Sequence, residues 1–152
     1  MRKVKNALRQ ELKEKRRGFN KTEKDIIIFE KLIALPQFVN AESVLTYASM
    51  PIEVDTSRLI EFCRNNNTPV ATPEIENNTM RFVPEVDLSN SVCIVPALAY
   101  NTENYRLGFG GGYYDRFLKD YKGISIGLCY REFITEIPVE EHDVPVDIVL
   151  TD

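Results

Sequence analysis

The chain is short of positive charge, of cysteine and of histidine, and each shortage excludes a class of function. Its 19 Lys and Arg residues are outnumbered by 23 Asp and Glu residues, which gives a formal net charge of -4. Without a basic field, we expect no nucleic-acid partner and no anionic membrane. No stretch reaches the roughly 18 apolar residues of a membrane span, and no secretory leader is recognisable. We therefore expect a cytoplasmic protein that acts on small molecules.

The three cysteines and the single histidine restrict the metal and nucleophile chemistry of the chain. Cys63, Cys93 and Cys129 lie far apart among apolar residues, which predicts reduced thiols in a core and neither a disulfide framework nor a zinc site. His142 is interpreted as a loop residue that forms local hydrogen bonds, and not as a proton carrier. No Ser/His/Asp or Cys/His arrangement for nucleophilic catalysis is recognisable.

Length and composition fit one globular domain. With 43% hydrophobic and 28% charged residues among 152, the chain can build a core, and no repeat or linker divides it. We therefore treat residues 1–152 as a single domain and expect a monomer. The spacing of Val4, Leu8 and Leu12 predicts a surface helix with a narrow apolar stripe that ends near Gly18.

A second helix is predicted to begin after Asn20 or Thr22 and to stop before Pro36. The side chains expected to face inward are Ile26, Ile27, Phe29, Leu32 and Ile33.

After Pro36 the sequence pattern changes to short β-rich runs separated by helical segments. Strands are predicted at 43–47, 69–72, 80–83, 92–95, 124–128 and 146–150, and helices at 55–65 and 113–121. Several of the strands are apolar throughout, which is typical of strands covered on both faces. The pattern predicts a three-layer α/β/α sandwich with a mostly parallel central sheet, similar to that of sugar-phosphate isomerases and CoA transferases.

The most informative feature is a cluster of glycines in the stretch RLGFGGGYYD, just before a predicted helix. Four of the seven glycines in the chain lie here: Gly108, Gly110, Gly111 and Gly112. Glycine runs mark positive φ angles or a backbone that a ligand approaches closely. Free N–H groups at a helix start, together with the helix dipole, form a site for phosphate oxygens.

Side chains around this loop add the other groups that a nucleotide and its metal require. Arg106 has a planar fork that can bridge phosphate oxygens, and Tyr113, Tyr114 and Asp115 follow the glycines. The alternative is a tight turn in which Asp115 only favours the helix dipole or pairs with Lys119. The loop matches neither the GxxxxGK[ST] phosphate loop nor the GxGxxG dinucleotide motif in its usual context.

The segment VPALAYNTENYRLGFGGGYYDRFL resembles the signature of the 5-formyltetrahydrofolate cyclo-ligase family, whose members are also called methenyltetrahydrofolate synthetases. The resemblance covers most of the chain. Residues 5–9 (KNALR), 47–56 (YASMPIEVDT) and 137–152 (IPVEEHDVPVDIVLTD) are similar to further landmarks of that family, in the same order.

The resemblance assigns roles to individual residues. It implies that ATP is contacted by Lys5 and Arg9, which form an i, i+4 pair on the first helix, and by the segment Arg106, Leu107, Gly108, Phe109, Gly110, Gly111, Gly112, Tyr113 and Tyr114. Met50, Glu53, Phe109, Gly110, Gly111, Gly112 and Tyr113 would bind the folate substrate, with the Glu53 carboxylate accepting hydrogen bonds from the pterin N–H groups.

The resemblance also implies a magnesium ion and a mechanism. Asp115 and Asp143 would hold Mg²⁺, which prefers one or two carboxylates together with phosphate and water oxygens. The expected reaction is ATP-dependent cyclisation of 5-formyltetrahydrofolate to 5,10-methenyltetrahydrofolate, with ADP and phosphate released. Arg106 and Tyr113 are the expected catalytic residues. The protein has to supply positioning and charge neutralisation.

One departure from the family pattern leaves two alternatives open. The connection between the strands near Phe82 and Val92 is reduced to Pro84–Ser91, although relatives carry a longer one with a glycine-isoleucine-glutamate-proline element. A shortened paralogue that binds ATP or formylfolate without converting it is therefore one alternative. An enzyme like the sugar-phosphate isomerases, which uses the glycine loop for a different phosphate, is the other.

Overall fold

A six-stranded sheet forms the centre of the computed structural model, which describes residues 1–152. Its strands are β1 (Ser43–Thr46), β2 (Val70–Glu76), β3 (Thr79–Val83), β4 (Ser91–Val95), β7 (Ile124–Leu128) and β8 (Ile148–Leu150). The strand order is β3-β2-β1-β4-β7-β8, and every neighbouring pair is parallel except β2 and β3. Every residue of β1 and β4 is buried, because helices cover both faces there.

Helices pack on both sides of this sheet and complete the three layers that the sequence predicted. They are α1 (Arg2–Arg17), α2 (Thr22–Ala34), α3 (Pro36–Val39), α4 (Ser57–Asn65) and α5 (Tyr113–Asp120). The rings of Phe29, Phe38 and Phe62 join α2, α3 and α4 into one layer. On the other face, Phe117 of α5 packs 4.9 Å from the ring of Phe82 on β3. No helix combines the length and the apolar composition needed to cross a lipid bilayer.

All the predicted strands and helices are present, with shifted ends, and three short features were not predicted, one of which is the 3-10 helix Arg131–Phe133. β2 extends to Glu76, and the last strand begins at Ile148 instead of residue 146. The short helix α3 was not predicted, and neither was a hairpin of two two-residue strands, β5 (Ala99–Tyr100) and β6 (Arg106–Leu107). Elements this short carry too few residues for a period to be visible.

The predicted inward faces of the first two helices need correction. On α1, Val4 is 57% exposed, and the buried residues are Lys5, Leu12 and Arg16. On α2, Ile27 is exposed, and Ile28 occupies the core together with Leu32. The α1 interpretation failed because that helix docks with charged side chains, which an apolar stripe cannot reveal.

The three cysteine thiols are free and buried, as predicted. Burial raises the pKa of the Cys63 and Cys129 thiols to about 11 and raises that of Cys93 further. They therefore remain protonated at neutral pH and serve as small apolar core residues.

Loops at the carboxyl ends of the parallel strands position the functional site. The chain leaves β4 at Val95, passes through the β5–β6 hairpin and the glycine loop, continues into α5 and returns in β7. Helix α1 lies at the same end, because Arg16 donates hydrogen bonds to the carbonyls of Ala97 and Leu98, which follow β4. Ligands of open parallel sheets bind at this edge.

The close contact between Gly127 of β7 and the buried ring of Tyr100 generates a stability prediction. A Cβ atom at position 127 would overlap that ring. We expect Gly127→Ala to lower the free energy of unfolding by about 2 kcal/mol, measured by urea denaturation. Gly18→Ala is the control, because a Cβ there meets no atom within 4 Å. Equal stability of the two variants would contradict the close packing.

Candidate functional site

The glycine loop, residues 108–112, connects β6 to the start of α5. Gly110 has φ 110° and Gly112, the N-cap of α5, has φ 70°, both in the region that strongly favours glycine. Main-chain N–H groups at such a helix start are available to an anion.

The other two glycines are required by the side chains beside them. A Cβ at position 108 would overlap Nη2 of Arg106, and one at position 111 would lie 2.5 Å from the Tyr113 ring. Gly108 therefore leaves room for the Arg106 guanidinium, and Gly111 for the Tyr113 ring. All four glycines of the motif have a structural reason within the site.

Arg106 is fixed by three neighbours. Its Nε donates a hydrogen bond to the carbonyl of Pro96 at 3.1 Å, and its guanidinium lies 5.2 Å from the centre of the Tyr114 ring. Nη1 lies 4.0 Å from Oδ1 of Asp115, and the side chain is only 5% exposed. The charge is thus held in one orientation before any ligand arrives, as electrostatic stabilisation of a reacting group requires.

Helix α1 brings further positive charge to the loop. Arg9 donates from Nε to the carbonyl of Gly108 at 2.9 Å and from Nη1 to Asn6 Oδ1 at 2.7 Å. Burial, followed by the charges of Arg106 and Arg2, lowers the pKa of Arg9. Cations are crowded at this position, and an anionic ligand would relieve their repulsion.

The loop and α1 together border a cavity of about 820 Å³, which is large enough for a nucleotide and part of a second substrate. Six of its lining residues are cationic, namely Arg2, Lys5, Arg9, Arg106, Arg116 and Lys119. Only Asp115 and Glu140 are acidic. The chain as a whole carries a net charge of -4, so this local excess of positive charge marks an anion site.

Lys5 and Asp143 form a buried ion pair at the rim of this cavity. Lys5 Nζ lies 3.0 Å from Asp143 Oδ2 and 3.0 Å from Glu140 Oε1, and its side chain is 10% exposed. Burial tends to raise the pKa of Asp143, but the Glu140 amide and the Lys5 ammonium outweigh it, so the pKa falls below its ordinary value. The same acids raise the pKa of Lys5 against the effect of burial.

No group of three or more His, Cys, Asp or Glu side chains is arranged to hold a metal ion by itself. Asp115 accepts a hydrogen bond at Oδ1 from the Val144 amide at 3.2 Å, and its Oδ2 has no protein partner. Asp143 is neutralised by Lys5. One free carboxylate oxygen beside an anion site fits Mg²⁺ bound jointly with phosphate, which needs few protein ligands.

Glu53 and Met50 lie outside the lining of this cavity. The Glu53 carboxylate is 5% exposed and accepts a hydrogen bond at Oε1 from the Met50 amide at 2.8 Å. Burial raises the pKa of Glu53, although that amide and the charges of Arg16 and Lys21 oppose the rise. The side chain of Met50 is exposed.

The other predicted residues divide between the cavity and the core. Phe109, Tyr113 and Tyr114 line the cavity, with the Tyr113 ring 4.9 Å from the Arg116 guanidinium. Leu107 is 1% exposed, and its side chain belongs to the core. Its carbonyl accepts a hydrogen bond from the Leu98 amide. Leu107 therefore fixes the start of the glycine loop to the core.

Several cavity residues were missed by sequence analysis. They are Arg2, Asn6, Pro73, Ile75, Met80, Pro96, Arg116, Lys119, Glu140 and His142. Helical spacing from Arg9 could have found Arg2 and Asn6, since residues three, four or seven apart share a face. Ile75 and Met80 pair across β2 and β3, and only the folded sheet places them beside the loop.

His142 reaches the cavity from an exposed loop. Its side chain is 70% exposed, with Nε2 3.5 Å from Asp143 Oδ1 and Nδ1 3.9 Å from Glu140 Oε2. These are local neighbours in sequence, in keeping with the interpretation of His142 as a loop residue.

Comparison with known proteins gives a consistent set of matches. The model of the 5-formyltetrahydrofolate cyclo-ligase family matches residues 1–89 and 81–152. The 5-formyltetrahydrofolate cyclo-ligase of Mus musculus is 28% identical over 188 residues, covering 97% of this chain and 93% of the relative. The 5-formyltetrahydrofolate cyclo-ligase of Mycoplasma pneumoniae is 30% identical over 165 residues, covering 97% of this chain and 98% of the relative.

Solved structures match over similar lengths. The 5,10-methenyltetrahydrofolate synthetase of Mycoplasma pneumoniae superimposes with a TM-score of 0.85 at 28% identity, covering 96% of this chain and 97% of that one. The NMR structure of the Aquifex aeolicus 5,10-methenyltetrahydrofolate synthetase superimposes with a TM-score of 0.82 at 27% identity, covering 97% of this chain and 89% of that one.

The Lys5–Asp143 pair predicts a defined pH dependence of stability. Because the folded pKa of Asp143 is below its ordinary value of 3.8, the pair stabilises the fold fully above that value and is lost as pH falls through the folded pKa. We expect Asp143→Asn to lower the unfolding free energy by about 1–3 kcal/mol at pH 7, with the difference from wild type shrinking as the pH falls below 3.8.

Urea denaturation across this pH range measures the effect. Glu141→Gln is the control, since Glu141 is an exposed carboxylate in the same loop. A difference for Asp143→Asn that stays constant from pH 7 to pH 3 would contradict the ion pair.

Proposed function

The chain belongs to the 5-formyltetrahydrofolate cyclo-ligase family, and we propose that its cavity carries out the ATP-dependent cyclisation of 5-formyltetrahydrofolate to 5,10-methenyltetrahydrofolate. One observation carries the proposal for this site. Six cationic side chains surround a glycine loop at a helix start, in a protein whose net charge is negative. Such a site suits a triphosphate. Family membership also removes the isomerase alternative.

The reaction needs charge neutralisation more than a protein nucleophile. The formyl oxygen attacks the γ-phosphorus of ATP and ADP leaves. The neighbouring amine nitrogen then attacks the carbon of the resulting imidate phosphate, which closes the ring, and loss of the proton on that nitrogen and of phosphate gives the methenyl product. Arg106 and the loop amides stabilise the phosphoryl charge that is transferred, and Tyr113 borders the same space. Buried cysteines and an exposed histidine are consistent with a reaction that uses no side-chain nucleophile.

Lys5 and Arg9 are proposed to bind the ATP phosphates from the α1 side. Arg9 already touches the loop at the Gly108 carbonyl, and its side chain borders the cavity. Lys5 is held by Asp143 and Glu140, and this pairing fixes its ammonium at the rim. Asp143 thereby has a role in positioning Lys5, and its role as a second magnesium ligand stays a prediction.

Mg²⁺ is proposed to bind between the triphosphate and Asp115, whose Oδ2 is free of protein hydrogen bonds. The ion would neutralise part of the phosphate charge. Asp115 itself is oriented by the Val144 amide and lies beside Arg106, so its carboxylate is fixed before a ligand binds.

The shortened connection does not favour a non-catalytic paralogue. Residues 84–90 lead into the amino end of β4, where Ser43 donates a hydrogen bond to the Asp87 carbonyl and the Glu42 amide to that of Asn90. The cavity lies at the opposite, carboxyl end of these strands, and none of residues 84–91 lines it. We further propose that residues 1–152 act as one domain, because the family model matches them from end to end, and that the protein acts as a monomer in the cytoplasm.

Turnover tests the function directly. Purified protein, 5-formyltetrahydrofolate, ATP and Mg²⁺ should produce the absorbance of the methenyl product, and binding without turnover would support the paralogue instead. We expect Arg106→Ala to lower kcat/KM by about a thousandfold because the transferred charge loses its fixed partner.

Arg81→Ala is the matched control, because Arg81 is a 63% exposed arginine on β3 outside the cavity. Circular dichroism checks that both variants fold. Near-wild-type kcat/KM for a folded Arg106→Ala would refute the assigned role.

The magnesium role of Asp115 has its own test. Asp115→Asn keeps the Oδ1 acceptor for the Val144 amide but removes the charge. We expect the Mg²⁺ concentration for half-maximal rate to rise about tenfold, measured by titrating Mg²⁺ at saturating substrates. Asp120→Asn, which alters an exposed carboxylate on the same helix, should leave this Mg²⁺ concentration unaltered. An unchanged Mg²⁺ requirement in Asp115→Asn would exclude Asp115 as a ligand.

A further inference from the structure

The glycine loop is bonded to the rest of the chain mainly through its carbonyl groups. None of the amides of residues 108–112 donates a hydrogen bond to another main-chain group. At one end of the loop, the Gly108 carbonyl accepts a hydrogen bond from Arg9 Nε at 2.9 Å. At the other end, the Gly111 carbonyl accepts one from Arg116 Nη1 at 3.1 Å. Two arginines on different helices, α1 and α5, thus bond the two ends of the loop.

These two hydrogen bonds set the direction of two loop amides. In a trans peptide the carbonyl and the following N–H point in opposite directions, and both of these peptides are trans. The Phe109 amide therefore points away from Arg9, and the Gly112 amide points away from the Arg116 guanidinium. Each amide has its orientation before a phosphate binds, as preorganised stabilisation of charge requires.

Arg116 is itself positioned by its surroundings. Its guanidinium lies 4.9 Å from the centre of the Tyr113 ring, three residues earlier on the same helix. A Cβ at position 112 would lie 2.9 Å from Arg116 Nη1, and one at position 111 would overlap the Tyr113 ring. The guanidinium can reach the Gly111 carbonyl because neither glycine has a side chain. A planar group suits this narrow place, since a guanidinium stacks on an aromatic ring while its fork donates hydrogen bonds.

We propose that Arg116 is a positioning residue for the triphosphate, because its bond to the Gly111 carbonyl directs the Gly112 amide towards the phosphate oxygens. This inference rests on the proposed function, in which the triphosphate binds at the loop. Arg116 acts through the main chain. Arg9 has the corresponding effect on the Phe109 amide at the other end of the loop.

Binding of a non-hydrolysable ATP analogue with Mg²⁺, measured by isothermal titration calorimetry, tests this role without turnover. We expect Arg116→Gln to raise the dissociation constant about tenfold. Arg116→Lys should weaken binding nearly as much, because lysine keeps the charge but lacks the planar fork that stacks on Tyr113 and reaches the Gly111 carbonyl.

Lys119→Gln separates positioning from a simple contribution of charge. Lys119 lines the same cavity from the same helix and is exposed, but it forms no hydrogen bond with the loop. Losing its charge should raise the dissociation constant by no more than about twofold, because exposed charges are screened by solvent and salt.

Amide resonances in heteronuclear NMR spectra report the orientation directly. In the wild-type protein, the analogue should shift the amide resonances of both Phe109 and Gly112. In Arg116→Gln at saturating analogue, the Gly112 shift should shrink, and the Phe109 shift should persist because Arg9 still bonds the Gly108 carbonyl. A merely structural role of Arg116 would not single out one amide.

Arg64→Gln is the control for loss of a surface arginine, since Arg64 is exposed on α4 and lies outside the cavity. This variant should bind the analogue as the wild-type protein does. All of these variants should melt within about 2 °C of wild type, because the substituted side chains are exposed.

Wild-type affinity of Arg116→Lys, or equal weakening by Arg116→Gln and Lys119→Gln, would show that only charge matters and overturns the inference. An unchanged Gly112 shift in Arg116→Gln overturns it as well. If the wild-type protein binds the analogue with both amide shifts but forms no methenyl product, the proposed reaction is wrong and the role of Arg116 in nucleotide binding remains supported. If the wild-type protein does not bind the analogue, both are overturned.

Discussion

The buried guanidinium of Arg16 joins the first helix to the carboxyl ends of two central strands. Nη1 donates to the Ile52 carbonyl at 2.9 Å, and Nη2 donates to the carbonyls of Ala97 and Leu98 at 3.1 and 2.7 Å. Ile52 lies in the segment after β1, and the other two residues follow β4. This attachment matters because Leu12 is the only fully buried apolar residue of α1.

This attachment determines the electrostatics of the site. Arg9 and Lys5 lie 7 and 11 residues before Arg16, on the same face of the helix, so both are directed to the glycine loop once Arg16 is in place. Arg16 has no acidic partner and relies on main-chain carbonyls, with the Phe133 ring 4.5 Å from its guanidinium. Burying a charge is unfavourable unless it is well bonded, and here the carbonyls and the ring provide that compensation. The result is a preorganised cluster of cations instead of an apolar helix interface.

The sequence predicted those parts of the fold in which apolar residues follow a regular pattern. It also predicted much of the site, because residue types that are infrequent in this chain cluster there. Apolar runs predicted the buried strands β1 and β4, and clustered glycines predicted the loop beside Arg106. The α1 prediction failed in detail because its docking face is polar: Val4 is exposed and Lys5 is buried. Ile75 and Met80, which pair between β2 and β3, lie beside the cavity only because the sheet brings these strands close to the glycine loop. They are far from that loop in the sequence, so no local pattern reveals the contact.

The sequence by itself determined the chemistry that is available: glycines that free main-chain amides, an arginine and a carboxylate beside them, and thiols destined for a core. Those properties belong to residue types and to short spacing, so they can be read before folding. The tertiary structure decided which charges meet. It paired Lys5 with Asp143 across 138 positions and Arg9 with Gly108 across 99, and it buried the Tyr114 hydroxyl without a hydrogen-bond partner. Contacts between residues so far apart depend on how the helices and loops pack around the sheet, and local sequence preference does not encode that arrangement.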